Sequence, residues 1–77
     1  MGPTLADMAP GQRGVVVGFA QIDAFAQRLM QFGVIEGADI ELVRCAPTGD
    51  PIEIRVMGSA LSLRRSEAAL VLVDEVR

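Results

Sequence analysis

The residues able to do chemistry are few. The chain has no histidine, which removes the commonest general base and the commonest metal ligand, and with them any Ser-His-Asp or Cys-His arrangement. The single cysteine, Cys45, sits in a stretch that alternates like a strand. A reactive thiol needs a basic setting, and Arg44 is its only basic neighbour in sequence, so Cys45 is expected as a small sheet or core residue. Asp39, Glu41 and Glu53 carry the oxygen chemistry of hard-cation ligands, but they alternate with apolar residues, the pattern of a solvated strand face. The glycines fit neither nucleotide-binding fingerprint. Arg64-Arg65 beside Ser62 offers at most an anion site, and two arginines at a strand end are expected to be solvated. No catalytic, metal or cofactor site is expected, and the chain is not expected to be an enzyme.

What remains is binding. Around RLMQFGVIEG, Arg28 to Gly37, the preceding Phe25 with Leu29 and Phe32 falls at i, i+4 and i+7, so the three share one helical face. Leu29 and Met30 point about 100° apart on a helix. A small core has room for one of them, which leaves the other as an exposed anchor. The helix end (Arg28, Leu29, Met30) and the loop Ala46 to Pro51 (Pro47, Asp50, Pro51) are the candidate partner-binding residues. Proline and glycine in that loop are also what a chain reversal needs.

These positions require a scaffold. Thr4 with Asp7 three residues on reads as a capped turn that sends Leu5 and Met8 inward. Pro10-Gly11 is a type II turn signal feeding a strand, Arg13 to Phe19, in which Val15 to Val17 make both faces apolar and Gly14 and Gly18 mark a bend or a close approach. Asp23 is placed to cap a helix over about Ala24 to Phe32. Gly33 stops it in the left-handed conformation, and Glu36-Gly37 makes the next turn. Strands follow over Asp39–Cys45, Ile52–Met57, Ala60–Leu63 and Leu70–Val73. Gly58-Ser59 is the expected hairpin turn between the middle two, Arg65–Ala69 a short helical turn, and Asp74–Arg77 a frayed end. Five short strands with one inserted helix are expected to close into a barrel, which removes sheet edges.

Composition sets the outer bounds. Seventy-seven residues make one domain, 1–77, that buries about 60% of its unfolded surface. One cysteine excludes an internal disulfide and fits a reducing, cytoplasmic setting. The longest apolar run, Ala68 to Val73, is too short to span a bilayer. The start Met1-Gly2 lacks the Ser or Thr that N-myristoylation needs, since Ala6 stands there. Seven arginines against ten carboxylates give a net charge of −3, which argues against direct nucleic-acid binding. A marginal core and the apolar Val15–Val17 strand make a homo-oligomer an open possibility.

The whole pattern resembles the FeoA family of small companions of the FeoB ferrous-iron transporter. The resemblance rests on Leu5 and Met8 before Pro10-Gly11 and a valine-rich strand, on RLMQFGVIEG, on APTGDPIEIRV and on ALSLRRSEAALVLV. The segment Ala46-Pro47 with Gly49-Asp50-Pro51 is the most specific part. Glu36 departs from the family, many members of which have proline there. The resemblance implies a mainly β fold, a small five-stranded SH3-like barrel with one inserted α-helix and short helical turns. It implies a cytoplasmic accessory role in Fe(II) uptake through contact with FeoB, either its cytosolic GTPase domain or the full-length transporter, with membrane contact only through FeoB. The barrel also looks like the C-terminal domain of metal-responsive repressors of the diphtheria-toxin-repressor type, which implies the alternative of a regulatory module.

Overall fold

The computed structural model describes residues 2–77; Met1 of the Met1-Gly2 start lies outside the described residues. The chain opens with a 3-10 turn, Leu5–Asp7, where the Asp7 carboxylate accepts the Thr4 backbone N–H at 2.8 Å. Five strands follow: β1 Arg13–Phe19, β2 Asp39–Cys45, β3 Ile52–Val56, β4 Ser59–Leu63 and β5 Val71–Asp74. Helix α1, Ala24–Gln31, connects β1 to β2, and the short α2, Arg65–Ala68, connects β4 to β5. The strands form one antiparallel sheet in the order β4-β3-β2-β1-β5. Both chain ends are tied to it. Thr4 bridges Leu72, Val73 donates its N–H to the Pro3 carbonyl, and Arg13 and Arg77 exchange both backbone hydrogen bonds. The expected fraying of Asp74–Arg77 is therefore corrected, because the pairing of β1 with the end of the chain continues to Arg77.

The core follows the alternation of the strands. Ile40, Leu42, Ile52, Ile54, Val56, Leu63, Val71 and Val73 point inward with Val16, and Leu5, Met8, Leu29, Val34 and Ala68 close over them. No polar side chain is buried among the described residues, so the interior is held by apolar burial alone. The two apolar faces of β1 divide unequally: Val16 is fully buried, Val15 half-buried and Val17 exposed. Val17 is the extra residue of a bulge between Val16 and Gly18. A side chain at Gly14 would put its Cβ 3.2 Å from the Asp74 carbonyl oxygen, which accounts for that glycine. β1 lies inside the sheet with partners on both sides, so Val15–Val17 cannot recruit a second copy by edge pairing, and that route to an oligomer is corrected.

Two further expectations change. The β3–β4 hairpin turn is Met57-Gly58, with φ of 51° and 78°, rather than Gly58-Ser59. Two consecutive left-handed residues match the twist of the flanking strands, and Ser59 is thereby drawn into β4 opposite Val56. Among the described residues the sheet also keeps one free edge, since β4 pairs there with β3 alone.

Gly33 ends α1 at φ 99°. A Cβ there would lie 2.6 Å from Met57 Cγ, so the turn needs glycine for its backbone and for its space. Gly33→Ala is expected to cost about 1–2 kcal/mol, read as a lower midpoint in urea denaturation.

Asp23 caps α1 by accepting the Ala26 N–H at 3.0 Å and a Gln21 side-chain N–H at 2.9 Å. The Ala26 bond first, then Gln21, hold its carboxyl below the ordinary carboxylate value. A folded-state value that is lowered gives stabilisation present above the unfolded value and lost as pH falls through the folded one. In thermal melts on the acid side, below about pH 4, wild type is expected to lose more stability than Asp23→Asn, which keeps the cap acceptor but does not titrate.

Candidate partner-binding site

The six candidate residues divide into two groups. On α1, Arg28 is exposed, Met30 half-buried and Leu29 only 5% exposed within the core. Leu29 is thereby corrected as a contact residue: it is the member of the adjacent pair that fills the core. The helix instead exposes Phe32, 52% accessible as its C-cap, a position just outside the face that Phe25 and Leu29 turn inward. Met57, 70% exposed, stands against Gly33 at the same end of the helix. Met57 is the first residue of the β3–β4 turn and has a left-handed backbone, φ 51°.

In the loop, Pro47 and Pro51 are exposed, and the Asp50-Pro51 peptide is cis. Asp50 is half-buried and engaged. Its carboxylate accepts the first backbone N–H of α2, that of Arg65, at 3.0 Å, across 15 positions of sequence. This places a capping acceptor at the positive end of the short helix. The Arg65 side chain completes the junction. Its Nε donates to the Gly49 carbonyl at 3.1 Å, Nη1 to the Ala6 carbonyl at 2.7 Å and Nη2 to Cys45 Sγ at 3.5 Å. The expectation of two solvated arginines thus holds for Arg64 and is corrected for Arg65, whose planar fork joins loop, 3-10 turn and β2. Cys45 is half-buried at that junction.

The outward face of the sheet carries the charged alternation. Arg13, Glu41 and Arg55 form one cross-strand row, and Arg44 with Glu53 another. Two ion pairs result, Arg13–Glu41 at 4.0 Å and Arg44–Glu53 at 3.4 Å, so Glu41 and Glu53 meet arginines. Among the described residues no group of three metal-ligating side chains comes together.

The two candidate groups do not meet, but β4 runs between them. Arg28 and Leu29 line a groove of about 140 Å³ with Phe25, Phe32, Leu61 and Glu67. Pro47 and Pro51 line a separate hollow with Cys45 and Ile52. Ser62 of β4 borders both.

Residues 4–75 match the FeoA domain family. A fusion protein of Porphyromonas gingivalis, named Fe(2+) transport protein A/Fe(2+) transporter FeoB, is 34% identical over 70 residues, which is 91% of this chain. The chain spans only 8% of that relative's length. The crystal structure of Stenotrophomonas maltophilia FeoA, described as a procaryotic SH3 domain protein complexed with zinc, is 32% identical and superposes with a TM-score of 0.84 over 94% of this chain and 89% of its own. The present chain has no histidine. A manganese-dependent transcriptional repressor shares the fold, at 14% identity and a TM-score of 0.80, over 92% of this chain and 40% of the repressor. Matched over nearly its whole length, and built on the same SH3-like sheet with its inserted helix, the chain belongs to the FeoA domain family.

Proposed function

We propose that this chain is a cytoplasmic accessory of the FeoB ferrous-iron transporter and acts by protein–protein contact rather than by catalysis. One observation carries the reading: in the Porphyromonas gingivalis relative, a segment 34% identical to this chain is part of one polypeptide with FeoB. Two functions joined covalently in one protein act at the same place, which supports contact between this chain and FeoB. What the chain offers is contact surface, with Phe32 and Met57 exposed at the end of α1. No described helix is long and apolar enough to cross a membrane, so contact with the bilayer would come through FeoB. The regulatory alternative rests on the repressor likeness alone, which at 14% identity speaks to the fold.

The test is retention of the purified chain by full-length FeoB from the same genome, reconstituted in nanodiscs, with and without guanine nucleotide. Retention is the expected result, and its nucleotide dependence would show whether the GTPase state is what the barrel senses. No retention at protein concentrations of about 100 μM, above ordinary transient affinities, would overturn the proposal.

A further inference from the structure

The two edges of the sheet are treated differently. The outer edge of β5 is covered by the N-terminal segment, through the Thr4–Leu72 bridge and the bond from Val73 to Pro3. The outer edge of β4 has no backbone partner among the described residues. Natural proteins blunt such edges with lysine, proline, a bulge or an inward charge. β4, Ser-Ala-Leu-Ser-Leu, has none of these, and its register with β3 is unbroken from Ser59 to Leu63.

The hairpin decides which groups are free. A two-residue turn is closed by a hydrogen-bonded pair, here Val56 and Ser59, and such pairs alternate along an antiparallel ladder. Ser59, Leu61 and Leu63 therefore spend their backbone groups on β3, while Ala60 and Ser62 direct N–H and C=O outward. The same alternation sets the side chains. Leu61 and Leu63, opposite Ile54 and Ile52, lie on the inner side, and Ala60 and Ser62, opposite Arg55 and Glu53, on the outer. A strand added at this edge would have its inner side chains over the groove between α1 and β4, against Phe25, Phe32 and Leu61. Its outer side chains would stand beside Ala60 and Ser62, with Arg64 at the end of β4 and Arg55, about 10 Å away on β3, reaching toward them past the small Ala60.

Charge identifies the occupant. Two carboxylates border β4: Glu53, opposite Ser62 and already paired with Arg44, and Glu67, which lines the groove and accepts the Arg64 backbone N–H. Three arginines, Arg28, Arg55 and Arg64, outnumber them there, and among the described residues none of the three is in an ion pair, unlike Arg13 and Arg44. We infer that the β4 edge is a docking site for an extended segment of the transporter in which acidic residues alternate with apolar ones. The segment adds as a sixth strand. The apolar positions enter the groove, and the acidic positions meet Arg55 and Arg64, with Arg28 at the groove rim. This inference rests on the accessory reading above and names its contact surface.

The experiment measures affinity for full-length FeoB in nanodiscs, together with amide hydrogen exchange of Ala60 and Ser62. In the complex these two amides are expected to become protected. Ser62→Pro removes an outward N–H and blocks the edge without a bond to β3, and Phe32→Glu puts a repelling charge in the groove. Each is expected to weaken binding by about tenfold or more. Wild-type binding with both amides still exchanging freely, and with both variants binding normally, would overturn the docking site and leave the accessory role standing. No wild-type binding would overturn both. Protection that grows with the concentration of the chain alone would assign the edge to a second copy and overturn the inference. If Ser62→Pro fails to fold by circular dichroism, wild-type exchange and Phe32→Glu decide.

Discussion

Arg65→Met is expected to destabilise the fold by about 3 kcal/mol. Methionine keeps most of the apolar stem, so the loss comes from the guanidinium. It leaves the carbonyls of Ala6 and Gly49 without their donors at a part-buried junction, and groups stripped of a partner there bear the desolvation penalty. The backbone N–H of residue 65 still reaches Asp50, so α2 keeps its cap and the effect is confined to the side chain. Urea denaturation is the measurement, with a lower midpoint and an unchanged slope as the outcome. A change within about 0.5 kcal/mol, the usual range for a solvated surface residue, would show that the junction contributes nothing.

Leu5→Ala is the second large effect, at about 3 kcal/mol within a usual range of 2–5. Leu5 is fully buried and belongs to a three-residue turn that buries nothing else. Its side chain and the Arg65 bond to the neighbouring Ala6 carbonyl hold the N-terminal segment against the sheet. Removing both should therefore cost less than the sum of the single changes, because once the segment detaches the second anchor has nothing to hold. A double-mutant cycle reads that coupling directly, and strict additivity would mean the two anchors act independently. Against a total of roughly 5–15 kcal/mol for small domains, either change alone removes a large share.

The strands were legible because their alternation is strong. Ile40 and Leu42, and Ile52, Ile54 and Val56, announce an inner face by period two, and the structure buries all five. The turns at Gly11, Gly33 and Gly37 were legible because glycine supplies the positive φ each requires. Met57 was not, because a non-glycine left-handed residue carries no signal of its own. The role of Arg65 was not legible either: its partners come from residues 6, 45 and 49, and sequence neighbours say nothing about such distances. The candidate site was half legible. Adjacency of Leu29 and Met30 pointed to one of them as an exposed anchor, but Leu29 is buried and Met30 half-buried, and the apolar residue exposed at the end of the helix is Phe32. The free edge of β4 needed strand order, which local pattern does not contain, and the expected barrel closure left no edge to look for.

The pairing of β1 with β5 joins residues 15–19 to residues 71–74, while every other strand pair joins neighbours in sequence. During synthesis the N-terminal end leaves the ribosome first. β2, β3 and β4 can assemble on β1 as they emerge, but β1 keeps an open edge until residues 71–77 are free. Leu5 waits equally long, since the arginine that binds beside it and the strand that Thr4 bridges are both made late. Until then the nascent chain has two exposed strand edges where the folded domain has one, and the interval in which it can pair wrongly lasts until β5 has emerged.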